Sequence, residues 1–145
     1  MKDTEFKFSV NVPIRFSDMD SLGHVNNAVY LTYFEEARVN YLRKVLNLDS
    51  GNVRSIGIVI AEIKCTYRSP AYYGDDLRVY TRVTWIRKRS FEMAYLIVEE
   101  KSGRVVAEGS SIQVAFDTDT KQPIEIPPEV KKRIKEFDDV QSGDI

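Results

Sequence analysis

Residues 28–48 read AVYLTYFEEARVNYLRKVLNL and carry the strongest structural signal in the chain. Their apolar and aromatic side chains recur at steps of three and four, which places them on one face of a helix. The recurring positions are Tyr30, Phe34, Ala37, Tyr41, Val45 and Leu48. Asn26 or Asn27 can cap the start of this helix, and Gly51 lies just past its end. We therefore predict one long helix over Ala28–Leu48.

The sequence on either side of this helix has the pattern of β-strands. Residues 6–16 alternate apolar with polar side chains, as in a strand with one buried face, and Pro13 favours an edge position. Four later segments are rich in β-branched or aromatic residues and are predicted to be strands. They are Arg54–Arg68, Leu77–Arg87, Phe91–Glu100 and Val105–Phe116. Pro127 and Pro128 open a short charged helix to about Phe137, and residues 138–145 are expected to be frayed.

This order of elements predicts one α+β domain over residues 1–145, with its core at about 6–117. A curved antiparallel sheet would wrap one long central helix. Long sheets leave edges that need protection, and pairing two sheets in a dimer is one common solution. We therefore expect a homo-oligomer.

Composition narrows the class of protein. Hydrophobic residues make up 43% and charged residues 30%, a balance typical of a soluble globular chain. Lys and Arg number 21 against 22 Asp and Glu, so we expect no broad positive field for nucleic acid or a membrane surface. Cys65 is the only cysteine and Met1–Phe8 has no continuous apolar run, which favours a cytoplasmic location. The longest apolar run, Ile56–Ala61, is far below the roughly 20 residues that span a bilayer.

The segment before the long helix concentrates reactive groups. Within Ser17–Asn27 lie Asp18, Asp20, the only histidine, His24, and two asparagines. Thioester hydrolysis needs a carboxylate that attacks the carbonyl or activates water, together with donors that stabilise the oxyanion. Free N–H groups and the positive end of the helix dipole can supply those donors.

The residues Asp20-Ser21-Leu22-Gly23-His24-Val25-Asn26-Asn27-Ala28-Val29-Tyr30, followed by Glu35, resemble the signature of the 4-hydroxybenzoyl-CoA thioesterase family of hotdog proteins. The likeness in element order covers residues 6–116. It implies the hotdog fold, a CoA thioester as substrate, no cofactor, and an active site between the subunits of a homodimer or dimer of dimers. An acyl carrier protein thioester is an alternative substrate.

The resemblance also implies roles for single residues. Asp20 matches the catalytic aspartate, which acts as a nucleophile or as a general base toward water. Asn27 falls where the family offers a backbone amide to the thioester oxygen, and His24 and Tyr30 match recurrent active-site positions. Other hotdog thioesterases carry a catalytic glutamate on the central helix, and we interpret Glu35 as a supporting residue near that place.

A CoA ligand carries phosphates, so this interpretation requires local positive charge. The turn Arg87-Lys88-Arg89-Ser90 supplies it, and Lys64 or Arg68 could contribute from a neighbouring strand. Exposed hairpins are also often basic for solubility alone.

Simpler explanations stand beside these roles. Asp18 and Asp20 could form Asx-turns that order the loop, and His24 could be a hydrogen-bonded structural residue. Glu35 and Arg38 have the i,i+3 spacing of a surface ion pair. Metal binding is disfavoured because no third acidic ligand lies near the two aspartates.

Two other functions fit the same fold. The chain could be a hotdog dehydratase or hydratase, or a non-catalytic protein that binds acyl thioesters or fatty acids. The pattern of Asp20–Tyr30 favours a thioesterase over a dehydratase. A binding protein would tolerate loss of the Asp20 carboxylate.

Overall fold

The computed structural model describes residues 1–48 and 56–142. The elements follow in the predicted order, and we number them along the chain. They are β1 (Phe8–Val12), α1 (Val29–Lys44), β2 (Ile56–Tyr67), β3 (Leu77–Ile86), β4 (Ser90–Glu99), β5 (Arg104–Asp117), α2 (Pro128–Phe137) and β6 (Gln141–Ser142). The predicted start of the second strand at Arg54, and Gly51, lie outside the described residues.

The first strand is shorter than predicted. It ends at Val12, directly before Pro13, and residues 16–18 form a single 3-10 turn instead of continuing the strand. Proline has no N–H to donate to a ladder, so pairing stops there. The predicted edge position is confirmed, because β1 pairs only with β3.

The long helix is also shorter than predicted at its C-terminal end. It ends at Lys44, and Asn47 adopts a left-handed conformation with φ 56°. Asparagine tolerates that region better than most residues, and it turns the chain out of the helix.

The prediction that Asn26 or Asn27 caps the helix is wrong. Ala28 occupies the N-cap position, and its side chain makes no capping hydrogen bond. Asn26 lies two residues before the N-cap, and its Oδ1 accepts the Ala28 N–H at 2.9 Å. This local bond makes Asn26 a turn residue.

The strands form one sheet in the order β1-β3-β4-β5-β2, and all neighbours in this order are antiparallel. Strand β6 pairs in parallel with the end of β3, beyond the part that β1 covers. Strand β2 is therefore the other edge of the sheet.

Helix α1 packs its predicted apolar face on this sheet. Tyr30, Phe34, Ala37 and Tyr41 are all buried, which confirms the helical periodicity. The Phe34 ring stacks on Tyr95 of β4 with 4.6 Å between centroids. Gly109 of β5 permits this approach, because a Cβ there would lie 2.5 Å from the Phe34 ring.

The C-terminal segment is ordered, so the expectation of fraying from Asp138 onward is wrong for the described part of it. The Asp138 carboxylate is 3% exposed. It accepts the Tyr41 hydroxyl at 2.5 Å and the Val83 N–H at 3.0 Å, which ties the end of α2 to the helix and the sheet. Residues 143–145 lie outside the described part.

In the described residues, neither helix is long and apolar enough to cross a membrane. One long helix packed on an antiparallel sheet, with a short C-terminal helix, is the hotdog architecture predicted from the sequence.

Candidate active site

A cleft of about 220 Å³ opens where the start of α1 meets the end of β2. Strand β2 ends at Tyr67, whose hydroxyl donates to the Asn27 carbonyl just before α1, so the two element ends meet there. Seven residues line the cleft: His24, Asn27, Tyr30, Tyr67, Arg68, Ser69 and Pro70. Three of the four predicted catalytic residues are therefore at one place.

The Asp18 carboxylate stabilises the loop that precedes α1. Its carboxylate is 2% exposed and accepts the Arg15 N–H at 2.9 Å, the Arg15 guanidinium at 3.0 Å and the Tyr33 hydroxyl at 2.8 Å. Burial raises the pKa of Asp18, but the hydrogen bonds and the charge of Arg15 outweigh burial and hold the pKa below 3.8. Asp18 is therefore a buried anion with both oxygens engaged.

Asp20 has a freer carboxylate. Its side chain is 23% exposed, and its Oδ1 accepts only the Leu22 N–H, at 2.9 Å, in an Asx-turn. Its Oδ2 lies 3.9 Å from Nδ1 of His24 and accepts no hydrogen bond from the described residues. One oxygen of Asp20 thus remains available for chemistry.

His24 lies between Asp20 and the cleft. Its Nδ1 is 3.2 Å from the Val25 carbonyl oxygen and 3.9 Å from Asp20 Oδ2, so both neighbours of this nitrogen are acceptors. A proton on Nδ1 donates to the Val25 carbonyl and leaves the Asp20 carboxylate as the next acceptor beside it.

The backbone amides before α1 are engaged one after another. Val25 donates to the Ala71 carbonyl, Asn26 to the Asp18 carbonyl, and Ala28 and Val29 both donate to Asn26. The N–H of Asn27 is the exception, because it has no acceptor among the described residues. Asn27 also lines the cleft, so this amide is a candidate donor to a ligand oxygen.

Tyr30 anchors the opposite wall of the cleft. Its hydroxyl accepts the Ala71 N–H at 3.1 Å, and the residue is 2% exposed. Burial raises the pKa of Tyr30, so the phenol stays neutral. Tyr30 lines the cleft, and its hydroxyl holds the Ala71 backbone.

Arg104 holds the loop that carries Ala71. Its guanidinium donates to the Ser69 hydroxyl at 2.9 Å, to the Pro70 carbonyl at 2.5 Å and to the Asp75 carboxylate at 3.0 Å. Ser69 and Pro70 line the cleft, so one side chain at the start of β5 fixes a wall of the site.

Tyr67 and Arg68 close the cleft at the end of β2. The Tyr67 hydroxyl donates to the Asn27 carbonyl at 2.9 Å, and its ring lies edge-on to Tyr30 at 5.3 Å. Arg68 pairs with Glu108 at 2.8 Å, and its side chain is 56% exposed. Arg68 is the cationic side chain among the lining residues.

The predicted supporting residues lie elsewhere in the protomer. Glu35 is 62% exposed and 3.8 Å from the Arg38 guanidinium, as its i,i+3 spacing indicated. The hairpin Arg87–Ser90 joins β3 to β4 at the end of the sheet opposite the cleft, and Lys88 there pairs with Glu125 at 3.2 Å. The roles assigned to Glu35 and to the hairpin stay predictions.

The sequence did not indicate Tyr67 or Arg104 as part of the site. Their contacts with residues 27 and 69–75 depend on the register of β2 against β5, which no local pattern specifies. The one available signal is that Tyr67 directly precedes Arg68, which the sequence indicates only as a source of positive charge.

The arrangement suits acid–base chemistry on a carbonyl group. It combines a carboxylate oxygen without a donor, an imidazole and an unpaired N–H beside one cleft. Among the described residues, no three His, Cys, Asp or Glu side chains are grouped so that they could hold a metal ion.

Comparison with known sequences gives a consistent result. The family model described as the thioesterase-like superfamily matches residues 14–134. Long-chain acyl-CoA thioesterase FadM of Escherichia coli is 27% identical over 126 residues, which cover 87% of this chain and 96% of that protein. Acyl-CoA thioesterase YbgC of Haemophilus influenzae is 30% identical over 137 residues, which cover 90% and 95%.

Solved structures agree with the sequence comparison. A thioesterase from Thermus thermophilus, crystallised with coenzyme A and Zn, superposes with a TM-score of 0.82 at 30% identity. The superposition covers 93% of this chain and 96% of that one. The similarity therefore extends over most of the chain.

Proposed function

Because the chain belongs to the thioesterase-like superfamily, we propose that it is an acyl-CoA thioesterase, which hydrolyses a CoA thioester to a free acid and CoA. Both relatives described above carry that activity in their names and align with most of this chain. The observation that carries the proposal is the free Oδ2 of Asp20 beside His24, in a loop whose Asn27 amide has no acceptor among the described residues.

Asp20, and not Asp18, is the proposed catalytic carboxylate. Asp18 is buried and bonded to Arg15 and Tyr33, so it has no oxygen left for a substrate or a water molecule. Asp20 keeps one oxygen that none of the described donors occupies. A carboxylate must have such an oxygen to act as a base or a nucleophile.

The reaction can follow two routes from this geometry. Asp20 as a base takes a proton from water, whose oxygen attacks the thioester carbon and expels the CoA thiolate, which then receives a proton. Asp20 as a nucleophile forms a mixed anhydride with release of the thiolate, and water then hydrolyses the anhydride. In both routes the Asn27 N–H and the positive end of α1 stabilise the oxyanion.

His24 is proposed to orient Asp20. With its proton on Nδ1, the imidazole points one N–H toward the Val25 carbonyl and the Asp20 carboxylate. Tyr30 completes the site by holding the Ala71 segment of the wall.

A second copy of the chain is proposed at the open edge of β2. This strand is 12 residues long, and β5 is its only partner in the described sheet. A long open edge readily pairs with another strand. An antiparallel, two-fold pairing centred on Ile63 would set Glu62 of one copy opposite Lys64 of the other, which is electrostatically favourable.

Such a dimer supports the predicted role of the basic hairpin Arg87–Ser90. Because the paired β2 strands run in opposite directions, the hairpin of one copy would reach the end of the joint sheet where the cleft of the other lies. The hairpin of one copy and the cleft of the other would then be three to four strand spacings of about 4.8 Å apart, a distance of roughly 15–20 Å. The pantetheine arm of CoA can span that length, so the hairpin would bind the CoA phosphates across the dimer.

The first experiment measures thiol release from short, medium, long and aromatic acyl-CoAs and from an acyl carrier protein thioester. Wild type is compared with Asp20→Asn and with Asp119→Asn, the same change at an exposed turn. We expect wild type and Asp119→Asn to be active and Asp20→Asn to lose at least roughly 100-fold in kcat. Undiminished turnover by Asp20→Asn would refute the role of Asp20.

A single turnover in H₂¹⁸O separates the two routes. If Asp20 is a base, the acid formed carries ¹⁸O from the first turnover. If Asp20 is a nucleophile and water attacks the aspartyl carbon of the anhydride, the first acid formed carries an unlabelled oxygen from the carboxylate and Asp20 gains ¹⁸O. If water attacks the acyl carbon instead, trapping of the anhydride with hydroxylamine identifies the nucleophilic route. Binding of acyl-CoA without release of thiol by wild type would instead favour the non-catalytic binding function.

A further inference from the structure

One contact joins the end of β2 to the loop before α1. The Tyr67 hydroxyl donates to the Asn27 carbonyl oxygen at 2.9 Å, across 40 positions of sequence. The Tyr67 side chain is 44% exposed, so this contact lies at the surface of the cleft and outside the hydrophobic core.

The Asn27 carbonyl has no place in the hydrogen-bond ladder of α1, which begins at Val29 with Ala28 as its N-cap. The other hydrogen bonds around it are local: Ala28 and Val29 both donate to Asn26. Among the described contacts, Tyr67 is the only one that ties Asn27 itself to the sheet. Without it, the two peptide groups that flank Asn27 would be held only by their own turn.

The Tyr67 hydroxyl is separable from the rest of the side chain. The ring packs edge-on against Tyr30 at 5.3 Å between centroids, and a phenylalanine ring would keep that contact. The hydroxyl donates to the Asn27 carbonyl, and the Cys65 thiol is the other polar group beside it.

We propose that Tyr67 is a positioning residue, whose hydroxyl fixes the Asn27 backbone so that its free N–H meets the thioester oxygen. This inference rests on the proposed function, because the direction of that amide matters only when a carbonyl group binds there. A donor acts on a developing oxyanion only when it is already aligned, so looser anchoring lowers kcat more than substrate binding.

Tyr67→Phe tests the proposal, with Tyr72→Phe as the matched control. Tyr72 is 47% exposed in the neighbouring loop, and its hydroxyl makes no hydrogen bond with the described residues. We expect Tyr67→Phe to lower kcat roughly tenfold, with KM within about twofold of wild type and an unchanged Tm. Tyr72→Phe should match wild type in all three.

Amide NMR spectra give a readout that does not depend on turnover. The amide signals of Asn27 and Ala28 should shift, and exchange faster, in Tyr67→Phe and not in Tyr72→Phe. Unchanged Asn27 and Ala28 signals would overturn the proposal, as would a normal kcat, a rise in KM alone, or a fall in Tm that accounts for the lost activity. If wild type itself hydrolyses no thioester, the proposed function fails, and the spectra still decide whether Tyr67 anchors Asn27.

Discussion

Asp18 and Asp138 lie toward opposite ends of the sheet and are the most deeply buried carboxylates in the described residues, at 2% and 3% exposure. Their surroundings are similar. Each accepts the hydroxyl of a tyrosine on α1, from Tyr33 to Asp18 and from Tyr41 to Asp138, and each accepts a backbone N–H. Their proton affinities nevertheless differ in direction, since the pKa is lowered at Asp18 and raised at Asp138.

The difference comes from the balance between burial and the groups that contact each carboxylate. Burial raises the pKa of both groups, but at Asp18 the Arg15 N–H, the Tyr33 hydroxyl and the Arg15 guanidinium together lower it more. No described cation lies within 4.0 Å of Asp138, and the hydrogen bonds from Tyr41 and Val83 do not offset its burial. At Asp18 the neutral donors and the guanidinium together outweigh burial, whereas at Asp138 the two neutral donors do not.

This difference sets opposite pH dependences. Asp18 binds its proton more weakly in the folded chain, so its stabilising contribution is present above pH 3.8 and is lost as the pH falls through its lowered folded pKa. Asp138 binds its proton more strongly when folded. Its contribution is present below pH 3.8 and is lost as the pH rises through its raised folded pKa.

The largest expected effect is that of Asp18→Asn on stability. The amide oxygen can keep the Arg15 N–H and the Tyr33 hydroxyl, which both donate to Oδ2, but the NH₂ group then faces the Arg15 guanidinium in place of Oδ1. The loss of this hydrogen bond between charged groups costs about 2 kcal/mol at pH 7. Urea denaturation between pH 3 and pH 7 measures this cost, and the difference from wild type should shrink toward pH 3.

Asp20→Asn is the matched control for that variant. Position 20 is two residues from Asp18, and an asparagine there keeps an oxygen for the one bond from the Leu22 N–H. The free energy of unfolding of this variant should therefore stay within about 0.5 kcal/mol of wild type. Equal losses of stability in the two variants would contradict the structural role of Asp18 and the catalytic role of Asp20.

A smaller effect is expected for Asp138→Asn, with the opposite trend in pH. Below pH 3.8 the amide oxygen can replace Oδ2 and accept both hydrogen bonds, but the buried NH₂ group has no acceptor among the described residues and should cost up to about 1 kcal/mol. As the pH rises, wild type must hold a buried anion without a contacting cation and the variant need not. The cost measured by urea denaturation should therefore decrease toward pH 7.

Asp139→Asn controls for the change of charge, since Asp139 is the exposed neighbour. Its stability should follow that of wild type at every pH. A cost of Asp138→Asn that grows with pH would mean that Asp138 is stabilised as an anion, and the comparison with Asp18 would fail.

The parts of the fold that follow local periodicity were predictable. The spacing of Phe34, Ala37 and Tyr41 reports a buried helical face, whatever the face packs against. The end of the chain was not predictable, because residues 138–145 are polar and polar ends usually fray. The contact of Asp138 with Tyr41, 97 positions away, overrides that tendency.

The candidate site shows the same limit. Asp20, His24 and Asn27 lie within eight consecutive residues, so a short motif suffices to bring them together. Tyr67 and Arg104 reach the cleft only through strand register. The basic hairpin lies at the end of the sheet opposite the cleft, and this placement also depends on topology. Its proposed role requires a second copy of the chain, which one sequence does not reveal.

The smallest expected effect is a change in KM when one basic residue is neutralised. It is compared between two turns at opposite ends of the sheet. Arg89→Gln, in the hairpin opposite the cleft, should raise KM for acyl-CoA about three- to fivefold at low salt, because an exposed charge on a phosphate contributes modestly. Lys101→Gln is the matched change in the turn between β4 and β5, at the cleft end. If the hairpin acts across a dimer, Lys101→Gln leaves KM unchanged, and the effect of Arg89→Gln fades as salt screens the charge. A rise in KM for Lys101→Gln alone would place the phosphates on the same protomer as the cleft, which the dimer paired through β2 does not predict.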